Sequence, residues 1–242
     1  AWAPTPPTID GSIIDSEWQT AASLSFTLTI GPDSHPGTFY AMNDATNLYV
    51  GIKVADDDFN SGSTPDGVAL YFDNGDDGTF GPGDDSLIQY AGSIGIMDRF
   101  LHAVGDPRID TDFGGTADGT GASSGHAGYN HFELSHPLNS ADDTHDFSLS
   151  PLNTAGFTML YADGPVGQAY WPALATEDAT GWGDIVVASS PPTMSTWSSA
   201  PPAIDGTVGA AEWAAASHAS ISIGKTYVGE LWTLNDAADL YV

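Results

Sequence analysis

Between residues 72 and 85 the chain reads FDNGDDGTFGPGDD, where Asp73, Asp76, Asp77, Asp84 and Asp85 are interspersed with glycines and a proline. Carboxylates this close repel one another unless a cation lies among them, and the glycines let backbone carbonyls join the ligand set. Hard oxygens in a loose geometry suit calcium, so these five aspartates are expected to hold Ca2+. The spacing is not that of an EF-hand, because Gly75 stands at the third position and no glutamate at the twelfth. A second acidic run, ADDDF at 55–59, ends an apolar alternation. Period two sends Asp56 and Asp58 to one face and Asp57 to the other, so Asp56 and Asp58 join the expected metal ligands. Asp106, Asp110 and Asp112, and then Asp142, Asp143 and Asp146, form further clusters for which a solvated turn is an equal reading. His126, His131 and His136 recur at a spacing of five, which a strand does not place on one face. They are expected to be exposed loop residues rather than a zinc site.

Aromatic residues offer a second chemistry. Tyr170 and Trp171 in QAYWPA, with Trp182 beyond them, could stack on the C–H face of a pyranose; packing is the competing role for each. Catalytic motifs are missing from the sequence: there is no cysteine, no G-x-S-x-G, no H-E-x-x-H and no phosphate-cradling glycine loop before a helix. A carboxylate pair for glycosidic chemistry carries no weight where thirty-two Asp and Glu are available. The expectation is a binding or structural protein, not an enzyme.

The elements that position these residues are short strands. LSFTLTI (24–30), TFYAMN (38–43), NLYVGIKV (47–54), GVALYF (67–72), SLIQYAGSIGI (86–96), YNHFELS (129–135), AGFTMLYA (155–162) and GDIVVAS (183–189) alternate with period two between Gly, Pro, Asn and Asp. That is the pattern of an all-β antiparallel sandwich, jelly-roll-like, with long acidic loops. NDATN (43–47) reads as a hairpin turn and DSEWQTAA (15–22) as a helical turn that buries Trp18, while 105–128 reads as one long loop. The opening then recurs. PPAIDGTVGAAEW at 201–213 restates PPTIDGSIIDSEW at 6–18, 195 residues on (201 − 6), and LNDAADLYV at 234–242 restates MNDATNLYV at 42–50. The organisation expected is a complete sandwich over 1–190, a Pro/Ser-rich linker over 191–200 and the N-terminal part of a second sandwich of the same type over 201–242.

PTIDGSIIDSEWQTA, FYAMNDATNLYVGIKVADDDF, DGVALYFDNGDDG, FELSHPL and GWGDIVV together resemble the family 9 carbohydrate-binding modules and their relatives. The resemblance covers about residues 4–189 and recurs in 201–242. It implies a calcium-containing antiparallel β-sandwich that is a non-catalytic extracellular module; in sugar-binding members two tryptophans clamp the end of a saccharide.

Four Lys and Arg against thirty-two Asp and Glu give a net charge of −28. Such a field repels phosphate backbones and anionic bilayers, which excludes nucleic acid as a partner. No run of 18 apolar residues provides a membrane span, so the chain reads as the mature part of an extracellular or cell-surface protein. A partial second sandwich needs strands to complete it. Trp197, Trp213, Trp232, Leu240 and Tyr241 are therefore expected to engage other copies head to tail, giving a calcium-stabilised filament or array subunit. The rival expectation is a carbohydrate-binding module that stacks a polysaccharide on Tyr170, Trp171 and Trp182.

Overall fold

The computed structural model describes residues 1–93, 95–190, 196–198, 202–203, 205, 207, 209, 211–223 and 227–242; the side chains of Asp15, 196–197, 218–223 and 227–231 lie outside the description. Two compact units divide it, Ala1–Ser189 and Ser190–Val242.

The first unit opens with a leader and a single helical turn, α1 (Asp15–Trp18). Strands follow in the order β1 (Ala22–Ile30), β2 (Asp33–Asn43), β3 (Asn47–Ala55), β4 (Gly67–Asp73), β5 (Asp85–Tyr90), β6 (Met97–Ala103), β7 (Asp106–Ile109), β8 (Thr120–His126), β9 (Tyr129–Pro137), β10 (Thr154–Asp163), β11 (Gly167–Trp171) and β12 (Gly183–Val186). Among the described residues they form a five-stranded sheet, β1-β2-β3-β9-β8, and a seven-stranded sheet, β11-β10-β4-β5-β6-β7, with β12 beside β10. The pairs within both sheets are antiparallel. Alternation decides which side chains meet between the sheets. Phe39, Val50, Ile52, Phe132 and Leu134 from the first face Leu70, Phe72, Leu87, Phe157 and Met159 from the second, all buried. Each such side chain contributes roughly 1.5–3 kcal/mol when removed from water.

β3 is buried almost without interruption because its outer side is covered as well. There Ala3, Ile13, Trp18, Met42 and Tyr49 form a second apolar cluster. Gly51 makes room for it: a Cβ at that position would lie 3.2 Å from the Trp18 ring. The NDATN turn is held by Asp44, whose Oδ1 accepts the N–H groups of Thr46 (2.7 Å) and Asn47 (2.8 Å).

The sequence expectation fails in two stretches. Residues 105–128 are not one loop but contain β7, a 3-10 turn at Asp110–Phe113 and β8. β8, TGASSGH, has no apolar alternation because it meets its neighbours through small residues; a Cβ on Gly121 would come within 2.2 Å of Gln89 Oε1. The run 86–96 is strand only as far as Tyr90, where β5 ends, and β6 begins beyond it at Met97.

The second unit contains β13 (Thr196–Trp197), β14 (Ser217–Ile223), β15 (Tyr227–Asn235) and β16 (Leu240–Tyr241). Its bonding recurs from the first. Ala22 pairs with Ala41 in β1–β2 and Ser217 with Thr233 in β14–β15, each at a sequence-equivalent position. The Ala3 N–H donates to Asn43 O at 2.7 Å and the Ser198 N–H to Asn235 O at 2.8 Å. Tyr49 and Tyr241 each donate a hydroxyl at 2.7 Å to the turn aspartate, Asp44 and Asp236.

Candidate functional site

The 72–85 loop does not gather its five carboxylates on one point. Asp73 Oδ1 accepts the Asp77 N–H (3.2 Å) and Oδ2 the Gly78 N–H (2.8 Å). Asp84 accepts the N–H groups of Asn74 (3.0 Å) and Gly81 (2.7 Å), and burial pushes its pKa up to about 6. Asp77 holds Thr79 N–H at 2.9 Å, and Asp76 is an exposed turn residue with φ of 50°. A tight glycine-rich loop leaves many backbone donors to satisfy, and these side chains satisfy them.

Asp85 differs. Its side chain points inward at the start of β5 and meets Asp98 of β6, His136 of β9 and Asp146 of the 138–153 connection; one ligand atom from each lies within 4.8 Å of the others. Asp110, from the 3-10 turn, stands close enough to these carboxylates for their charge to act on it; all five residues are 2 % exposed or less. His136 Nδ1 lies 2.8 Å from Pro137 O, and Nε2 lies 3.7 Å from both Asp98 Oδ2 and Asp146 Oδ1. Both oxygens of Asp85, Oδ1 of Asp98 and Nε2 of His136 have no hydrogen-bond partner. Burial, reinforced by Asp98 and Asp146, drives the Asp85 carboxyl well above the ordinary range, and with Asp98 foremost among the charges it pushes Asp110 up to about 9. Burial opposes the His136 cation, but the surrounding carboxylates outweigh it and raise the ring to about 11.

A second acidic group lies at the other end of the sandwich, since β3 runs from beside His136 to Asp56 and spans about 25 Å at ~3.3 Å per residue. Asp56, Asp58 and Asp66 bring one oxygen each within 4.8 Å of one another, and a ring nitrogen of His35 lies as close to oxygens of Asp56 and Asp163. Asp56 Oδ2 accepts the Tyr161 hydroxyl at 2.6 Å. Asp66 Oδ2 accepts the Asn60 N–H (2.7 Å) and the Asn130 amide (3.0 Å), leaving its buried Oδ1 unpartnered. Burial, followed by the charges of neighbouring aspartates, raises Asp66 and Asp163 above the carboxylate range. The group opens on a cleft of about 530 Å3 lined by Asp33, His35, Asp56, Asp57, Asp58 and Asp163. Of the expected metal ligands, Asp56 and Asp58 meet here, Asp85 lies in the buried centre, and Asp73, Asp76, Asp77 and Asp84 join neither group.

The aromatic candidates separate by strand parity. Trp171 turns into the sandwich, its ring 5.4 Å from Phe26, 5.9 Å from Phe39 and 6.0 Å from Phe157. Trp182 is 8 % exposed, packs 5.3 Å from Phe80 and donates Nε1–H to Leu174 O at 3.1 Å. Both pack against apolar neighbours, Trp171 half-buried and Trp182 buried. Tyr170 faces outward, 6.4 Å from Tyr71. Tyr71 borders a groove of about 660 Å3 on the outer face of the seven-stranded sheet, with Tyr90, Ile88, Leu160, Arg99 and Gln168. Arg99 is tethered by Nη2–H to Pro107 O at 3.2 Å. Sequence reasoning passed over Tyr71, Tyr90, Arg99 and Gln168. The signal was there in the parity of β4 and β5 and in one of only four basic residues placed amid thirty-two acidic ones.

His131 and His136 are buried on opposite faces of β9, not exposed in loops. Neutral His131 accepts the Ile13 N–H at Nδ1 (3.3 Å); burial, with Lys53 and His126 nearby, pushes it down to about 4. Beside it, Glu133 explains the opening motif. Its Oε2 accepts the N–H groups of Asp10 (3.0 Å), Gly11 (2.7 Å) and Ser12 (3.2 Å), and Oε1 accepts Trp18 Nε1–H at 2.8 Å.

The residues expected to join copies lie in the second unit. Trp213 is buried, Trp232 is half-buried, Leu240 is 64 % exposed and Tyr241 is bound to Asp236. Trp197 sits in β13 opposite Asn235, its side chain outside the described residues.

Residues 9–93 match the profile of the family described as "Carbohydrate family 9 binding domain-like". No curated protein matches the chain. Two similar solved structures are family 9 carbohydrate-binding modules from Caldicellulosiruptor kristjanssonii. One, in complex with cellotriose, is 16% identical, with 77% of this chain and 92% of that one covered at a TM-score of 0.51. The other, in complex with glucose, is 17% identical, with 80% and 98% covered at 0.52. The chain thus carries a β-sandwich like those of the family 9 carbohydrate-binding modules, with the profile match lying in its first unit.

Proposed function

We propose that the first unit is a non-catalytic, extracellular glycan-binding module whose sugar site is the outer groove of β4, β5, β6, β10 and β11. The observation that carries this reading is the groove's mixed lining: Tyr71 and Tyr90 beside a guanidinium and a carboxamide. A sugar needs that combination. Its axial C–H bonds pack on an aromatic face while its hydroxyls take donors and acceptors of fixed geometry, here the five-donor fork of Arg99 and the amide of Gln168. The likeness to modules solved with cellotriose and glucose supports β-glucans or their ends as the ligand class. Calorimetric titration with cello-oligosaccharides tests it. Arg99→Ala and Tyr90→Ala should each weaken binding at least tenfold with the melting temperature unchanged. Undiminished binding in both would remove the groove from the account.

The acidic cleft at Asp56 is the proposed calcium site. Its donors are hard oxygens from Asp56, Asp58 and Asp66, and the buried, unpartnered Asp66 Oδ1 is the atom a cation would satisfy. Bound there, Ca2+ supplies charge neutralisation and ties the end of β3 to the start of β4. Chelator-treated protein should take up Ca2+ in a titration, and Asp58→Asn should weaken that uptake at least tenfold; equal uptake by the variant would exclude the cleft.

A further inference from the structure

We propose that Asp85, Asp98, His136 and Asp146 form a second, enclosed metal centre that takes a first-row transition dication of the zinc or manganese class rather than calcium. Four observations carry it.

The first is hydrogen bonding. His136 Nδ1, 2.8 Å from Pro137 O, is placed to donate its proton to that carbonyl, which turns Nε2 toward the carboxylates. A ligating histidine characteristically makes such a second bond from its other nitrogen. The second is spacing. Nε2 is 3.7 Å from oxygens of Asp98 and of Asp146, too far for a hydrogen bond. With bonds of roughly 2.0–2.2 Å, two ligands on one ion lie about 3 Å apart at a right angle and about 3.8 Å apart near 130°, so the separation is within the range of donors sharing a metal. The third is burial. Asp85 is 0 % exposed with both oxygens unpartnered, as is His136 Nε2 at 1 %. An imidazolium offers one positive charge to four buried carboxylates, whereas a dication offers two and can bond several of their oxygens directly. The fourth is donor type. An imidazole nitrogen among carboxylates shifts preference from calcium toward zinc or manganese.

Position sets the consequence. The ligands come from β9 in one sheet, β5 and β6 in the other and the 138–153 connection, so one ion would staple the two layers from inside. With each ligand 2 % exposed or less, the ion enters during folding and leaves only on unfolding. The Asp56 group, by contrast, opens on a wide cleft and exchanges freely.

The test is metal analysis of the whole chain, produced in medium containing Ca2+, Mn2+ and Zn2+ and then dialysed in the folded state against a chelator. Plasma mass spectrometry should find about one equivalent of Zn2+ or Mn2+ per chain still bound, released only when denaturant is added with the chelator. His136→Ala should retain less than a tenth of that metal. Should the variant fail to fold, wild-type protein refolded with Co2+ decides: visible absorption bands of an N/O-ligated cobalt ion support the centre, and their absence overturns it. Folded, metal-free protein with an unchanged melting temperature would mean an ion-pair cluster only, and Ca2+ as the retained ion would mean an oxygen-type site. Either result overturns the proposal.

Discussion

At the scale of single residues, the recurring opening motif is explained by one carboxylate. Glu133 receives three consecutive backbone N–H groups and the Trp18 indole, so IDG supplies the donors and the following EW places the ring. Glu133→Ala leaves the buried Gly11 N–H and Trp18 indole unsatisfied, loses two part-buried bonds as well, and should cost about 3–5 kcal/mol in urea unfolding, whereas Tyr170→Ala, on the outer face, should cost much less. The motif itself was legible in the sequence. Its receiver was not, because Glu133 lies more than a hundred residues away among thirty-one other acidic residues and nothing local marks it. His131 gives a pH signature. Its pKa falls from 6.5 unfolded to about 4 folded, so the unfolded chain binds more protons between those values. Its contribution is therefore present above pH 6.5 and lost as the pH falls toward 4. The stability of wild type relative to His131→Asn, which keeps an acceptor for Ile13 N–H, should decline across that window; a flat difference would show that His131 does not titrate on unfolding.

At the scale of elements, strands with clear alternation were legible and those built from small or polar residues were not. β3 and β4 carry LYVGIKV and GVALYF, whose period is visible without a structure. β8 holds its place through glycines and serines beside β9, and β7 is a polar edge strand, so neither shows an apolar rhythm. The same difficulty scattered the proposed metal ligands. Alternation alone places Asp56 and Asp58 together, but Asp85, Asp98 and His136 meet only because the start of β5, its neighbour β6 and the end of β9 come together between the sheets, a matter of topology. The leader depends on Gly11, with φ of 85° and a hypothetical Cβ 2.7 Å from the Ser123 backbone. Gly11→Ala forces the leader off β8 and should destabilise by about 2–4 kcal/mol, read as a lower urea midpoint. An unchanged midpoint would mean that the leader is not docked.

At the scale of the whole molecule, a net charge of −28 makes cations part of the fold's energetics. Screening by salt acts on every exposed carboxylate, while a bound ion acts at one place, and the two are separable. Ca2+ should raise the melting temperature by several degrees more than NaCl of equal ionic strength, and Asp58→Asn should erase that excess; an identical response to both salts would leave only screening. The groove and the acidic cleft adjoin at the β10–β11 turn, where Asp163 and Val166 line the cleft and Gly164, Pro165 and Gly167 line the groove. Sugar recognition is proposed for the sheet face and ion binding for the sandwich interior and its ends. The most direct test of the central claim is an amide chemical-shift titration of the whole chain with cellotriose. Shifts confined to residues around Tyr71, Tyr90, Arg99 and Gln168 are the predicted result; shifts elsewhere, or none at saturating sugar, would contradict it.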